Sequence, residues 1–166
     1  ISSPSDESAA KGSITITGDY IDDKGVNSIT LTLSPVNDSS DTANTKTYTI
    51  SKTANDDGLI TPDSTTPSNG TWYVNVDTTD FADQAYKISV NGTDGTYTSA
   101  NATRTFDIDN TAPVFVLSKP NSLNISDPYA FGTQVQIAGE IADDHAISSM
   151  DIRVFSYDGS TTTEIT

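Results

Sequence analysis

The stretch ITITGDYIDDKGVNSITLTL, Ile14–Leu33, returns later in the chain as VQIAGEIADDHAISSMDIRV, Val135–Val154. The two stretches align without a gap, and their apolar positions stay in register. Positions with the same chemistry in both are Gly18 and Gly139, Asp22 and Asp143, Asp23 and Asp144, Ser28 and Ser149, and Leu31 and Ile152. Self-similarity of this length is typical of tandem repeats, so the sequence predicts two copies of one structural module.

The repeat divides the chain of 166 residues into a first domain, residues 1–110, and a second domain, residues 111–166. Length alone would allow one domain or two. Because Ile1–Pro4 aligns with Leu117–Pro120, we expect the first strand of the first domain to be truncated at its N-terminus. The second domain is expected to be an incomplete N-terminal portion. An incomplete module leaves a sheet face and a strand edge exposed.

Apolar and polar residues alternate through most of the chain, which is the period of half-buried β-strands. The runs are rich in Thr, Val, Ile and aromatic residues and are bounded by Asp, Asn, Gly or Pro. They contain Ile14, Ile16 and Tyr20; Ile29, Leu31 and Leu33; Tyr48 and Ile50; Trp72, Val74 and Val76; Tyr86, Ile88 and Val90; and Phe106 and Ile108. Because one-sided apolar strands must cover each other's faces, the pattern predicts an all-β sandwich of two sheets.

The connections between these runs are polar. Asp22–Gly25 and its counterpart Asp143–Ala146 are predicted to be tight turns. The segment Ser34–Gly70 predicts one strand, Lys46–Lys52, between long mobile surface loops. In the second domain, Phe155–Gly159 predicts a strand that enters a hairpin turn.

The chain is strongly acidic, with 23 Asp and Glu residues against 8 Lys and Arg residues and a formal net charge of −15. Such a surface repels phosphate backbones and anionic lipids, so binding to nucleic acid is not expected. No apolar run of membrane-spanning length occurs, and we expect no membrane insertion in this segment. The absence of cysteine excludes disulfides and thiolate metal sites.

Sequence signatures of catalysis are missing. The only histidine, His145, stands where the first copy carries Lys24, which indicates a solvated turn position rather than a catalytic one. No Gly-rich phosphate loop, Gly-x-Ser-x-Gly motif or His-Glu-x-x-His motif occurs. We therefore expect a protein that is not an enzyme.

Four motifs follow one another along the first copy. They are ITGDYIDDKGVNSI at Ile16–Ile29, GTWYV at Gly70–Val74, DTTDFADQAY at Asp77–Tyr86 and TFDIDNTAP at Thr105–Pro113. Together they resemble the bacterial immunoglobulin-like (Big-type) repeat domains of large cell-surface proteins and adhesins. The resemblance implies tandem immunoglobulin-like β-sandwiches, the second one incomplete. It also implies that Tyr86 forms a tyrosine corner, with its hydroxyl bonded to nearby backbone, and that Trp72 anchors the core.

Aspartates from several loops form a candidate calcium site, because calcium binds several carboxylate and carbonyl oxygens at once. The resemblance implies that calcium stiffens the junction between such repeats. The predicted ligands are Asp109, Asn110, Asp143 and Asp144, with Asp80 and Asp83 as further candidates. The alternative is that these aspartates cap turns by accepting hydrogen bonds from nearby backbone N–H groups.

The functional prediction is a non-catalytic stalk or spacer of a bacterial surface or secreted protein that projects a distal functional region. Its partners would be neighbouring immunoglobulin-like repeats of the same chain, and its location would be extracellular. The alternative is an adhesion module that binds a host protein or glycan directly through the loops of Ser34–Gly70. The small polar residues of those loops favour the spacer, since binding hot spots usually contain aromatic anchors. A third class, an accessory module of an extracellular carbohydrate-active enzyme, would need a neighbouring catalytic domain.

Overall fold

A computed structural model describes residues 1–120 and 136–165 of the chain. The chain divides into two compact units, unit 1 at Ile1–Thr111 and unit 2 at Ala112–Thr166. Each unit is described by itself below.

Unit 1 is built from eight β-strands and one short 3-10 helix at Thr78–Asp80. The strands are β1 (Ala9–Ala10), β2 (Ser13–Ile21), β3 (Ser28–Pro35), β4 (Lys46–Ser51), β5 (Gly58–Pro62), β6 (Asn69–Asp77), β7 (Gln84–Thr93) and β8 (Ala102–Ile108). They form a five-stranded sheet in the order β1-β8-β7-β3-β4 and a three-stranded sheet in the order β2-β6-β5. Neighbours are antiparallel except β1 and β8, which are parallel.

The two sheets of unit 1 share one apolar core. Ile16 and Val74 from the three-stranded sheet and Leu31 and Ile88 from the five-stranded sheet are all fully buried. The predicted alternation therefore holds in β2, β3, β4, β6, β7 and β8, whose inward residues are the apolar ones. Trp72 is 4% exposed and lies in this core, as predicted. The all-β prediction is confirmed, and the shared core is consistent with a β-sandwich.

The segment between β3 and β6 differs from the prediction. It contains the expected strand, β4, and also a second strand, β5, which pairs antiparallel with β6. Only Leu59 and Ile60 are apolar in β5, so its alternation is too short to stand out in the sequence. Burial of Ile60 against the core and pairing with β6 stabilise β5 at the sheet edge.

Unit 2 contains four described strands: β9 (Val114–Lys119), β10 (Ala138–Ala142), β11 (Phe155–Tyr157) and β12 (Thr162–Glu164). β9 pairs antiparallel with β10, and β11 pairs antiparallel with β12 across the predicted turn at 158–159. Among residues 112–120 and 136–165, no side chain is buried. Apolar residues such as Phe115, Ile152 and Phe155 are about half exposed, at 51%, 54% and 51%.

The two copies share a pairing as well as a sequence. In unit 1, Ser3 forms an antiparallel bridge with Thr17. In unit 2, Lys119 pairs antiparallel with Ala138, the residue that aligns with Thr17. The peptide bonds Ser3–Pro4 and Lys119–Pro120 are both cis. The repeat therefore extends to the way in which the first segment of each copy joins its neighbouring strand.

Candidate functional site

Tyr86 forms the corner that its motif predicts. Its side chain is fully buried, and its hydroxyl donates a hydrogen bond of 3.1 Å to the backbone carbonyl of Ala82. Gln84 Nε2 donates to the same hydroxyl at 3.2 Å. The ring packs edge-on against Phe81, with centroids 5.3 Å apart. Burial raises the pKa of Tyr86, and its contacts are those of a structural residue that holds the loop before β7.

Asp80, a further candidate calcium ligand, is engaged by a cation of unit 1. Lys46 Nζ lies 2.6 Å from Asp80 Oδ2 and also stands 5.0 Å from the centroid of the Phe81 ring. This pair joins the start of β4 to the 3-10 helix after β6. A carboxylate already paired with an ammonium group has less to gain from binding a metal ion.

Asp83 and Asn110, two of the predicted calcium ligands, are in contact with each other in unit 1. Asp83 Oδ1 accepts a hydrogen bond of 2.8 Å from the Asn110 backbone N–H, and Asp83 Oδ2 accepts one from the Thr111 hydroxyl. The hydrogen bonds from Thr111 and Asn110 lower the pKa of Asp83. The Asn110 side chain accepts from the Thr78 hydroxyl at 2.8 Å and donates to the Thr78 carbonyl at 2.9 Å. This network ties the end of β8 to the 3-10 helix.

Asp109 follows β8 directly and is half-buried. Its backbone N–H donates to the Ala10 carbonyl at 3.1 Å, which extends the pairing of β8 with β1. Its Oδ1 accepts a hydrogen bond of 3.1 Å from the Thr111 N–H. Asp109 therefore forms a side-chain turn of the kind that caps loops.

In unit 2, Asp143, Asp144 and His145 form one turn after β10. Asp143 Oδ1 accepts a hydrogen bond of 2.9 Å from the His145 N–H, and Asp144 Oδ1 lies 3.4 Å from His145 Nδ1. This turn therefore offers two carboxylates and an imidazole that could bind a metal ion. In unit 1, the carboxylate of Asp109 is a ligand of the same kind. Calcium would be held by the carboxylate oxygens, since imidazole is a ligand that suits transition metals.

His145 was not among the predicted ligands, although its place directly after two aspartates was a usable signal. The aligned turn of unit 1 has the same hydrogen bond but no imidazole. There, Asp22 Oδ1 accepts a hydrogen bond of 2.9 Å from the Lys24 N–H. Turn capping by the first aspartate is therefore common to both copies. The alternative interpretation of Asp109 and Asp143 as turn caps agrees with these contacts, and the calcium site stays a prediction.

The comparisons with known proteins add no identification, since no family model, curated protein or solved structure matches the chain. Within residues 1–120 and 136–165, there is no helix with the length and apolar character needed to cross a membrane.

Proposed function

We propose that the chain is a non-catalytic, load-bearing spacer made of tandem immunoglobulin-like domains in a bacterial surface or secreted protein. The sequence repeat supports this proposal, because repetition lengthens an array without adding chemistry. The corner at Tyr86 and the division of unit 1 into sheets of five and three strands support the immunoglobulin-like assignment.

The pairing of β1 with β8 is the observation that carries the proposal. These are the first and last strands of unit 1, and they run parallel, with Ala9 opposite Asp107 and Ala10 opposite Ile108. Backbone bonds continue on both sides of the pair, from Asp107 N–H to the Ser8 carbonyl at 2.8 Å and from Asp109 N–H to the Ala10 carbonyl at 3.1 Å. A pull on the two ends of unit 1 would shear these parallel strands and load several hydrogen bonds at once. That arrangement suits a domain that transmits tension.

Single-molecule pulling on the two ends of unit 1 within the full chain tests this function. We expect unit 1, Ile1–Thr111, to unfold in one step that frees a contour length of roughly 38 nm, at about 3.4 Å per residue. Ala10→Pro places a residue without an N–H in β1 and should lower the unfolding force. The matched control is Thr49→Pro in β4, at the opposite edge of the same sheet. An equal loss of force in both variants would refute a load-bearing role for the β1–β8 pair.

Calcium binding by the carboxylates of Asp143 and Asp144 in unit 2 belongs to the same proposal. If calcium binds only the native protein, a free calcium concentration of about 100 times the Kd should add about 2.7 kcal/mol to the free energy of unfolding. Thermal melts of the full chain in excess calcium and in chelator should therefore differ by several degrees.

Two variants make the calcium experiment specific. Asp143→Asn combined with Asp144→Asn should abolish the difference between the two melts. Asp22→Asn combined with Asp23→Asn changes the aligned turn of unit 1 and should preserve it. Superimposable melts of the unmodified chain with and without calcium would leave the aspartates as turn caps.

Direct adhesion through Ser34–Gly70 stays the alternative. In this segment, all of which is described, Tyr48 is half-buried, and the side chains of Asp38, Asp41 and Asp63 cap their own turns. Asp41, for example, accepts hydrogen bonds from the Ala43 and Asn44 N–H groups at 3.0 and 3.1 Å. These loops offer small polar groups rather than aromatic anchors, which favours the spacer.

A further inference from the structure

Side chains extend the β1–β8 pair of unit 1 beyond both of its ends. The pair itself is short, since β1 has two residues, Ala9–Ala10. Before β1, the Asp6 carboxylate bonds to Thr105 of β8. After β1, the Asn110 side chain bonds to Gly12. We propose that Asp6 and Asn110 are side-chain locks that carry tension together with the β1–β8 backbone bonds, a role that rests on the proposed spacer function.

The first lock, Asp6, lies where the chain turns into β1. Glu7 has a left-handed backbone with a φ of 58°, which interrupts the regular path of a strand. On the far side of this turn, Asp6 Oδ1 accepts hydrogen bonds of 3.0 Å from the Thr105 N–H and 3.1 Å from the Thr105 hydroxyl. Arg104 Nη1 also donates to the Pro4 carbonyl at 2.7 Å. A carboxylate oxygen therefore replaces the backbone carbonyl that a longer β1 would offer to β8.

The second lock, Asn110, lies just past the end of β8. Asn110 Oδ1 accepts a hydrogen bond of 3.3 Å from the Gly12 N–H, two residues after β1. The same side chain accepts from the Thr78 hydroxyl at 2.8 Å and donates to the Thr78 carbonyl at 2.9 Å. Thr78 is fully buried, so its carbonyl needs a donor within the protein. Asn110 therefore fastens the exit of β8 to two separate loops.

The position of the locks determines how they would bear tension. β1 and β8 are parallel, so a pull on the two ends of unit 1 slides one strand along the other. Backbone bonds between residues 7–10 and residues 105–109 form a row, and one lock lies at each end of that row. Sliding loads these bonds side by side. The loss of a lock leaves fewer bonds to share the load, so the strands should separate sooner.

Pulling at constant force on the two ends of unit 1 within the full chain tests the locks. Asp6→Ala removes the acceptor for Thr105, and Asn110→Ala removes the bonds to Gly12 and Thr78. We expect each substitution to raise the unfolding rate under force at least about fivefold, because hydrogen bonds that break in the rate-limiting step are lost.

Asp63→Ala is the matched control for the first lock. Asp63 Oδ1 accepts from the Thr65 N–H at 2.8 Å and from the Thr65 hydroxyl at 2.7 Å. These bonds have the chemistry of those between Asp6 and Thr105, but they lie within one surface turn. Under force, Asp63→Ala should unfold within about twofold of the parent rate, since its lost bonds need not break when the strands separate.

Asn44→Ala is the matched control for the second lock. Asn44 Oδ1 accepts from the Ala82 N–H at 3.1 Å, and its Nδ2 donates to Asp41 Oδ2 at 2.7 Å. Its amide therefore also joins two segments, but these lie away from the β1–β8 pair. Asn44→Ala should also unfold under force within about twofold of the parent rate.

Unfolding rates in urea separate load bearing from ordinary stabilisation. For each pair, the rate of the lock variant is divided by the rate of its control, once under force and once in urea. We expect this ratio to be at least about fivefold larger under force, because only force directs the reaction through the β1–β8 pair. A ratio that is no larger under force than in urea would overturn the lock in that pair.

Asp6→Asn tests whether hydrogen bonding is the property that matters. It keeps an oxygen that can accept from Thr105, so it should unfold under force within about twofold of the parent rate. If it unfolds as fast as Asp6→Ala, the hydrogen bonds of Asp6 do not carry the load.

Ala10→Pro keeps a failure of the locks distinct from a failure of the spacer function. If Ala10→Pro weakens unit 1 under force and the lock variants do not, the locks are refuted while the β1–β8 pair remains load-bearing. If Ala10→Pro and Thr49→Pro lose force equally, the spacer function itself is refuted.

Discussion

The hydroxyl of Tyr86 donates a hydrogen bond of 3.1 Å to the backbone carbonyl of Ala82 inside the fully buried corner before β7. Tyr86→Phe removes this bond and leaves the Ala82 carbonyl without that donor while the ring stays. We expect a loss of about 1–2 kcal/mol in the free energy of unfolding of unit 1, measured by urea denaturation with Trp72 fluorescence. Tyr97→Phe, at a side chain that is 75% exposed, should change stability by less than about 0.5 kcal/mol. If the two substitutions changed the free energy of unfolding equally, the hydrogen bond from Tyr86 to Ala82 would not contribute to the stability of unit 1.

Gly18 lies on the inward face of β2 directly beneath the Trp72 indole, and a Cβ at this position would overlap the ring. Gly18→Ala must displace a buried aromatic side chain, so we expect a cost of about 1–3 kcal/mol. Thermal unfolding and the emission wavelength of Trp72 report the change. Thr15→Ala, on the solvent face of the same strand, is the control and should be nearly neutral. A Gly18→Ala protein as stable as the parent would show that the indole has room to move.

Asp83 makes unit 1 sensitive to acid. Hydrogen bonds from Thr111 and from the Asn110 N–H lower its pKa below the ordinary 3.8, so the folded state favours the ionised carboxylate. The stability it contributes is present above pH 3.8 and is lost as the pH falls through the lower pKa of the folded state. Asp83→Asn should therefore be less stable than the parent at neutral pH and should lose less stability on acidification.

Urea denaturation at a series of pH values measures this difference. Asp56→Asn removes the same charge at an exposed position and is the control. If both variants keep the acid response of the parent, the Asp83 hydrogen bonds contribute nothing to it.

Tyr48 makes unit 1 sensitive to alkali. Burial, together with the nearby carboxylates of Asp80, Asp57 and Asp77, raises its pKa from 10.0 to about 12. The folded state therefore favours the protonated phenol, and the stability it contributes is full below pH 10 and falls as the pH rises towards about 12. Tyr48→Phe should reduce the loss of stability in that window.

Thermal melts of the two proteins across this alkaline range give the comparison, and tyrosinate absorbance gives the titration directly. Tyr97→Phe, at an exposed ring, is the matched control. A Tyr48 phenol that ionises together with the exposed tyrosines would contradict this prediction.

The alternation of apolar residues predicted six of the eight strands of unit 1 and their inward faces. It missed β1, because Ala9–Ala10 has no alternation and is held by backbone bonds to β8. It missed β5 because only two of its residues are apolar. Short strands of this kind depend on a partner strand, so the local sequence carries little sign of them.

The candidate ligands show the same limit. Their residue types indicated a calcium site, and Asp83 does lie beside Asn110. Yet Asp80 pairs with Lys46, which is distant in sequence, and nothing local signals that pair. His145 lies in the turn of Asp143 and Asp144 because it follows them directly in the chain. The sequence analysis did not count it as a ligand, since the aligned residue of the first copy is Lys24.

The sequence by itself determined the repeat, the β class and which side chains face inward, because burial in a strand follows a period of two that each segment carries alone. Only the tertiary structure decided which carboxylates are engaged by other side chains. Lys46 contacts Asp80 and the Tyr86 hydroxyl reaches the Ala82 carbonyl because of how the loops of unit 1 fold back on its strands. Such contacts depend on where loops close in space, and loop closure is set by the whole fold rather than by neighbouring residues.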